Sequence, residues 1–258
     1  MDVHIVTACF GDRFTDAILR FEKQLTDLDV EHRIYTRIFK DSDLSYLGDH
    51  KPEFFSWKPA LIMHMFNIIK DEDILIYLDI GCEFNTKTIS NAINTVEECG
   101  TIFLDNGHRL INWIDPKMLG SGPFVDIRDE MKSVAAGTLF LKKDENTAQI
   151  LKDWNYWAQI DKNKYIISNA KNHRHDQSIL SSILNWHDAK IINDNCYYTE
   201  EELLTLEIND EAFCFVFRNK TRFEFIKYLN FLRKFKNFIP KKILINLYVI
   251  ITKVLRRL

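Results

Sequence analysis

Glycine and proline are scarce in this chain, with 8 and 5 among 258 residues, so no flexible linker of the usual composition is predicted. No apolar run approaches the roughly 18–20 residues that a helix needs to span a bilayer. The five cysteines are an odd number without a Cys-x-x-Cys pair, which disfavours a disulfide framework or a zinc ribbon. The N-terminal segment lacks the basic stretch and long apolar run of a signal peptide, so we expect a cytoplasmic protein.

The composition is that of a globular protein, with 46% hydrophobic and 28% charged residues. Its net charge of −3 hides a division between two parts of the chain. Residues 218–258 carry 12 Lys or Arg and 1 acidic residue, whereas residues 1–217 carry 22 basic and 36 acidic residues. An acidic body followed by a basic, apolar tail predicts that the tail binds an anionic surface, either a nucleic acid or a membrane.

Strand and helix patterns alternate over the first two-thirds of the sequence. This alternation predicts an α/β domain whose central sheet is mainly parallel. We assign residues 1–217 to this domain and residues 218–258 to a basic, helical C-terminal tail. The predicted strands are residues 3–8, 32–38, 73–78, 101–104 and 135–141; the predicted helices are 15–28, 59–69, 86–99, 144–157 and 175–185; and residues 106–131 are predicted to form a loop insertion.

One predicted strand ends in an acidic residue at a position suited to ligand binding. The apolar run of residues 73–78 is followed directly by Asp79. Ligands of open parallel sheets bind beyond the carboxyl ends of the strands, and a carboxylate there can hold Mg²⁺ or Mn²⁺ against pyrophosphate oxygens. The alternative is that Asp79 only caps a turn before the next helix. The strand pattern by itself does not separate these two interpretations.

Two further segments contain candidate ligand-binding groups. Lys58, within a Trp-Lys-Pro sequence at a helix start, can reach a phosphate, although a solvated lysine is the better interpretation of this segment alone. Residues 173–178 read His-Arg-His-Asp-Gln-Ser, which are residue types found in metal sites, but such clusters before a helix more often serve as caps. Asp176 and Gln177 can cap the helix or hydrogen-bond sugar hydroxyls.

Taken in order, these segments resemble the GT-A glycosyltransferases, which are nucleotide-sugar enzymes with one Rossmann-like domain. The resemblance is strongest to small bacterial enzymes of surface-polysaccharide synthesis that read Trp-Lys-Pro, then Tyr-Leu-Asp-x-Gly-Cys-Glu, then Arg-His-Asp-Gln-Ser. The chain is also similar, more distantly, to the family 8 galactosyl- and glucosyltransferases. The resemblance covers roughly residues 1–190. It implies a GT-A domain that transfers a hexose from a nucleotide-sugar to a saccharide or lipid-linked acceptor. The expected donor is a UDP-sugar.

The resemblance also implies a role for each matching position. Lys58 would lie near the nucleotide-sugar, and Asp79 would bind the metal and the donor diphosphate. Asp176 and Gln177 would lie at the reacting carbon as the catalytic residues, with Asp176 acting as a base or as an electrostatic stabiliser. Similarity to family 8 would imply retention of the anomeric configuration. The remaining substrate-binding positions are the uridine loop (Thr7, Ala8, Cys9, Phe10, Gly11 and Asp12), Gly81, the sugar-proximal Ala136 and Gly137, and His175.

The chain departs from the family pattern at the metal site. The second carboxylate of the Asp-x-Asp motif is replaced by Gly81, so one metal ligand is missing. We expect Glu83 to substitute and His187, or alternatively His175, to supply a downstream ligand. Mn²⁺ or Mg²⁺ held by Asp79, Glu83 and His187 is therefore the expected cofactor. Weaker metal binding and a metal-independent reaction are the alternatives.

The C-terminal segment has the pattern of an amphipathic helix. On a helical wheel, nine apolar residues between positions 243 and 258 form one face, and the polar face is basic. Such a helix lies in a membrane interface with its cations near anionic headgroups, so we expect peripheral binding to the inner face of the cell membrane. A nucleic acid is disfavoured because an apolar stripe makes no contact with a phosphate backbone. The alternative is a helix docked on the domain or at a dimer interface.

Two other functions remain open from the residues. One is a metal-dependent phosphohydrolase that uses His173, His175, Asp176 and Asp79. The other is a non-catalytic, membrane-associated protein that retained the fold after losing the second metal carboxylate. The hydrolase would release phosphate without an acceptor, and the non-catalytic protein would bind no nucleotide.

Overall fold

The computed structural model describes residues 1–9, 15–26, 28, 31–40, 55–85, 88–168, 170–187, 189–192, 197–199, 213–216, 238–240, 243, 246, 247 and 250. Its strands are β1 (Val3–Ala8), β2 (Ile34–Phe39), β3 (Ile74–Leu78), β4 (Cys82–Phe84), β5 (Ile102–Arg109), β6 (Lys132–Lys142), β7 (Ile191–Ile192), β8 (Tyr197–Thr199) and β9 (Cys214–Val216). Its helices are α1 (Thr15–Thr26), α2 (Trp57–Ile68), α3 (Ile89–Cys99), α4 (Glu145–Asn163) and α5 (Asp176–Trp186).

The central sheet has six strands in the order β2-β1-β3-β6-β5-β7. Strand β1 pairs in parallel with β2 and β3, and β5 pairs in parallel with β7. Strand β6 is antiparallel to both of its neighbours, β3 and β5. The predicted α/β class with a mostly parallel sheet is therefore confirmed, and β6 is the strand that departs from it.

Two apolar clusters cover the two faces of this sheet, and β3 contributes to both. Leu75 and Tyr77 face the cluster that includes residues of α2, α4 and α5. Ile74, Ile76 and Leu78 face the cluster that includes residues of α1 and α3. Because successive side chains of a strand point to opposite faces, a strand covered on both sides is apolar at every position. This double burial explains the uninterrupted apolar run before Asp79.

Most predicted elements are present, with shifted ends. Helix α4 begins as predicted, since the Asp144 carboxylate accepts a 2.7 Å hydrogen bond from the backbone N–H of Thr147. The helix continues to Asn163, beyond the predicted end at residue 157, because Ala158 is buried in the core. Residues 106–131 are only partly a loop: β5 runs to Arg109, and three short 3₁₀ turns follow. The small sheet β4-β9-β8 was not predicted, since each of its strands has three residues.

Most of the predicted tail, residues 218–258, lies outside the described residues, and its assignment as a separate unit stays a prediction. Of its apolar face, Ile243 is 50% exposed and Ile250 is 57% exposed. Both positions are helical. Among the helices that the structure describes, none is long and apolar enough to cross a membrane.

Candidate functional site

Three charged side chains from three separate sequence motifs meet beyond the carboxyl end of β3. The Lys58 ammonium lies 3.2 Å from a carboxylate oxygen of Asp79 and 3.2 Å from one of Asp176. Lys58 comes from the first turn of α2, Asp79 follows β3, and Asp176 is the first residue of α5. We call these three residues the Lys58 centre. The sequence predicted each of them as a site residue, and the structure brings the two carboxylates into contact with the same ammonium.

Strands β3 and β6 together fix the position of Asp79. Tyr77 lies two residues earlier on the same face of β3, and its hydroxyl donates a 2.7 Å hydrogen bond to Asp79 Oδ1. The Asp79 N–H donates to the carbonyl of Gly137 at 2.8 Å. A Cβ atom at Gly137 would lie 2.7 Å from Asp79 Oδ2, which is closer than real Cβ contacts allow. The chain therefore needs glycine at position 137 for the Asp79 carboxylate to stand where it does.

Lys58 is buried, and this corrects the interpretation of that residue as solvated. It is only 3% exposed. An ammonium has three N–H donors, and Lys58 has three oxygens within reach: those of Asp79, Asp176 and the Ala136 carbonyl, the last at 3.5 Å. Burial lowers the pKa of Lys58, but Asp176 and then Asp79 outweigh it and hold that pKa above its ordinary value. In this arrangement Lys58 binds carboxylates rather than a phosphate.

Asp176 is also buried, at 3% exposed. Burial is the largest influence on its carboxyl and, with a contribution from Asp79, raises the pKa of Asp176 to about 6 against the opposing effect of Lys58. Its backbone carbonyl accepts a 3.0 Å hydrogen bond from the indole N–H of Trp154 in α4. The preceding residue, His175, has a φ of +49°, a conformation that side-chain-bearing residues adopt at an energetic cost. The His175 Nδ1–H donates to the Ile166 carbonyl at 2.7 Å and offsets part of that cost.

The histidines of residues 173–178 serve the backbone. His173 donates from Nε2 to the Tyr165 carbonyl at 3.1 Å and accepts at Nδ1 from the Asp115 N–H at 3.3 Å. These two bonds define a neutral ring, and burial, followed by the charge of His175, lowers the pKa of His173 to about 4. Both ring nitrogens of His173 are thus engaged within the protein. Within residues 173–178, His173 and His175 therefore hold the backbone, whereas Asp176 belongs to the Lys58 centre.

Gln177 is fixed to the neighbouring sheet. Its side-chain amide donates a 3.1 Å hydrogen bond to the hydroxyl of Ser133 in β6, and Asn106 donates to the same hydroxyl at 3.1 Å. Ser133 was not a sequence candidate, and its spacing from Gln177 gave no signal of this contact.

The other two expected metal ligands have different partners. Glu83 forms an ion pair with Arg20, with 3.1 Å between Glu83 Oε1 and Arg20 Nε. His187 caps the far end of α5, where its Nε2 lies 2.8 Å from Asp153. At 1.5 Å per residue, the 11 residues of α5 separate His187 from Asp176 by about 16 Å. The structure therefore does not bring His187 to the Lys58 centre.

No group of three or more potential metal-binding side chains is found among the described residues. Asp79 alone remains a fitting ligand, since its side chain is 26% exposed while Asp176 is enclosed. Mg²⁺ and similar ions are commonly held by one or two carboxylates together with substrate phosphates and water. Asp79 fits that mode of binding, in which the substrate completes the site.

The expected uridine loop is described only in part. Thr7 and Ala8 end β1, Cys9 follows, and all three are buried, while residues 10–12 (Phe10, Gly11 and Asp12) lie outside the described residues. The Thr7 hydroxyl has no hydrogen-bond partner within the described part of the chain. Gly81 is buried in the turn that follows Asp79.

Sequence reasoning missed Tyr77 and Arg20. The position of Tyr77 near Asp79 could have been predicted, because residues two apart on a strand share a face. Arg20 lies on an amphipathic helix, where a basic residue normally faces solvent, so nothing in the local pattern indicated its burial.

No model of a known protein family matches the sequence, and no curated protein matches it significantly. What the chain does is therefore inferred from its residues and their geometry.

Proposed function

We propose that this chain is a glycosyltransferase of the GT-A type that moves a hexose from a UDP-sugar to a saccharide or lipid-linked acceptor in surface-polysaccharide synthesis. One observation carries the proposal: the three motifs that resemble this class supply Lys58, Asp79 and Asp176, which are in contact at 3.2 Å. The site lies beyond the carboxyl end of a strand in a mostly parallel sheet, where such folds bind nucleotides. Strand β6, which is antiparallel to its neighbours in the central sheet, lies beside the site at Ala136 and Gly137.

Sugar transfer from a nucleotide requires that the charge of the leaving diphosphate be offset. The positive charge of Lys58 is already shared by two carboxylates, so Lys58 contributes little to binding a diphosphate. The proposed reaction therefore calls for a divalent cation that binds with the diphosphate. Mn²⁺ or Mg²⁺ held by Asp79 would supply that charge and orient the phosphate oxygens.

Asp176 and Gln177 are assigned to the sugar. The Asp176 carboxylate is enclosed and paired with Lys58, which suits a fixed negative charge better than a base that must meet an acceptor hydroxyl. A fixed carboxylate stabilises the positive charge that develops at an anomeric carbon during transfer. Gln177, held by Ser133, is positioned to orient a sugar hydroxyl.

The same contacts weigh against the two other functions. A phosphohydrolase that used His173 as a metal ligand would need a free ring nitrogen, and both are hydrogen-bonded to backbone groups. A non-catalytic protein gains little from the Lys58 centre, since buried ion pairs rarely exceed apolar packing in stability. A buried lysine shared by two carboxylates is better explained by a role in catalysis.

The tail is proposed to hold the protein on the anionic inner face of the cell membrane. Ile243 and Ile250, seven residues apart and so on one face of a helix, are about half exposed. Deleting residues 241–258 should release the protein from anionic vesicles at low salt while leaving UDP binding intact. A truncated protein that unfolds, or that still sediments with the vesicles, would contradict this role.

The proposed function is tested by nucleotide binding. Thermal unfolding of the wild type should shift upward with UDP plus Mn²⁺, and much less with either alone. Asp79→Ala should abolish the shift. Asp71→Ala is the matched control, because Asp71 is an exposed aspartate at the opposite end of the same strand. Absence of any UDP-dependent shift in the wild type would refute the proposal.

A further inference from the structure

We infer that Arg20 and Glu83 form a buried pair that positions Asp79 from the opposite face of the sheet, and that Glu83 acts through Arg20 rather than as a metal ligand. The inference rests on the proposed function only for the role of Asp79. The contacts of the pair themselves stand without it.

Arg20 binds the chain immediately after Asp79. Its Nη2 donates to the Ile80 carbonyl at 2.7 Å and to the Cys82 carbonyl at 3.3 Å. Arg20 lies on α1 and is 5% exposed. One guanidinium therefore holds two carbonyls of the segment that follows the site carboxylate.

The segment held by Arg20 is the turn that Asp79 begins. The Cys82 N–H donates to the Asp79 carbonyl at 2.7 Å and closes a four-residue turn. A displacement of Ile80 or Cys82 would therefore rotate the Asp79 backbone. Because an arginine presents several donors in one rigid plane, it can hold both carbonyls at once, whereas a lysine offers a single point charge.

Glu83 supplies the charge that keeps Arg20 buried. Its carboxylate lies 3.1 Å from Arg20 Nε, and Glu83 is 8% exposed. Removing the partner of a buried charge is strongly unfavourable, so loss of the Glu83 carboxylate should destabilise the protein. A metal ligand at Glu83 would have to give up or share that contact. Under this inference the Asp-x-Gly-x-Glu sequence contains one metal ligand, Asp79, and one residue, Glu83, that helps to position it through Arg20.

Glu83→Gln and Glu83→Leu distinguish a supporting residue from a ligand. Glutamine keeps an oxygen that can accept from Arg20, whereas leucine removes both the charge and the acceptor that Glu83 offers to Arg20. We expect Glu83→Leu to lower the melting temperature by on the order of 10 °C, measured without nucleotide, and Glu83→Gln to lower it much less. Titration of Mn²⁺ in the presence of UDP should give Glu83→Gln an affinity within about threefold of the wild type.

Arg20→Lys tests the positioning itself. It keeps the positive charge for Glu83 but loses the hold on two carbonyls. We expect a fall in kcat for UDP-sugar turnover of on the order of tenfold or more, with a smaller change in KM, because a misplaced Asp79 binds the donor but aligns it poorly. Because partial unfolding would also lower kcat without changing KM, kcat is expressed per folded protein, with the folded fraction measured by unfolding under the assay conditions.

Three results would overturn the inference. One is a Glu83→Gln variant with wild-type melting but with Mn²⁺ affinity reduced by more than about threefold, which would make Glu83 a ligand. Another is equal melting of Glu83→Leu and wild type, which would remove the pair. The third is an Arg20→Lys variant with unchanged kcat. If the wild type binds no UDP, the proposed function fails, while the melting comparison still decides whether Arg20 depends on Glu83.

Discussion

Two buried cations support Asp79 from opposite faces of the sheet, and they do so differently. Lys58, on the side of α2, α4 and α5, contacts two carboxylate side chains, and one of them, Asp79, is 26% exposed. Arg20, on the side of α1 and α3, contacts the buried carboxylate of Glu83 and two backbone carbonyls. A buried cation can therefore pair with a carboxylate that remains accessible, as Asp79 does, or with one that is enclosed in the fold, as Glu83 is.

Replacing Lys58 is expected to have the largest effect on turnover and stability. In Lys58→Met, two carboxylates remain at the site without their shared cation, so we expect turnover to fall on the order of 100-fold or more. The free energy of unfolding should fall by roughly 3–5 kcal/mol. Lys152→Met on α4 is the control, since Lys152 is exposed, and it should leave both quantities near the wild-type values. Steady-state kinetics and denaturant unfolding measure the two effects. Near-normal turnover in Lys58→Met would show that the Lys58 centre is only structural.

Asp176 should affect the rate more than binding. Asp176→Asn keeps the size of the side chain but removes the fixed charge, so kcat should fall by on the order of 100-fold while UDP affinity stays within a few-fold. Gln177→Ala should follow the same pattern with a smaller loss of rate. Loss of UDP affinity with unchanged turnover would instead place these residues at the nucleotide.

Crowding of Asp79 is tested at Gly137. The added methyl of Gly137→Ala would lie 2.7 Å from Asp79 Oδ2 and must displace that carboxylate from Lys58 and Tyr77. We expect Mn²⁺-dependent UDP binding to weaken by about tenfold. Gly107→Ala serves as a control, because its added Cβ meets nothing within 4 Å although its φ of +78° makes alanine strained there. It should lower stability without weakening UDP binding, and equal weakening in both variants would contradict the crowding account.

The smallest effect is a change in the pH dependence of stability at residues 173–178. The pKa of His173 is lowered to about 4 in the folded protein from an ordinary 6.5, so the unfolded chain binds more protons between these values. The contribution of His173, roughly 3 kcal/mol at most, is present above pH 6.5 and is lost as the pH falls towards 4. Asp176 acts in the opposite sense: its raised pKa of about 6 makes its contribution fall as the pH rises from 4 to 6.

His173→Asn should therefore gain stability relative to the wild type as the pH falls from 6.5 to 4. Chemical denaturation at a series of pH values measures this difference. A constant offset between the two proteins across that range would show that His173 does not titrate as the structure indicates.

The parts of the site that could be predicted from the sequence are those with a local cause. Strand β3 is an uninterrupted apolar run, so the strand and the position of Asp79 directly after it were predicted correctly. The start of α5 next to Asp176 was also predicted. The contacts of Lys58 could not be predicted, because they join positions 21 and 118 residues away in sequence, and a lysine at a helix start is ordinarily solvated. The antiparallel direction of β6 depends on tertiary pairing that strand periodicity does not encode.

Glu83 illustrates the opposite difficulty. An acidic residue four positions after Asp79 has the chemistry of a missing metal ligand, and sequence alone gave no reason to connect it with Arg20, 63 residues earlier. A charged residue can bind a ligand or stabilise the fold, and its role depends on which residue lies next to it in the folded protein.

Release of UDP from UDP-hexoses is the most direct test of the Lys58 centre as the site of sugar transfer. Wild type, Asp79→Ala and Asp71→Ala should be incubated with a panel of UDP-hexoses and Mn²⁺, and UDP, free hexose, UMP and hexose 1-phosphate measured separately. We predict that the wild type and Asp71→Ala release UDP and hexose in equal amounts from at least one donor, and that Asp79→Ala does not. Release of UMP and hexose 1-phosphate in place of UDP and hexose by the wild type, or near-normal UDP release by Asp79→Ala, would contradict this account.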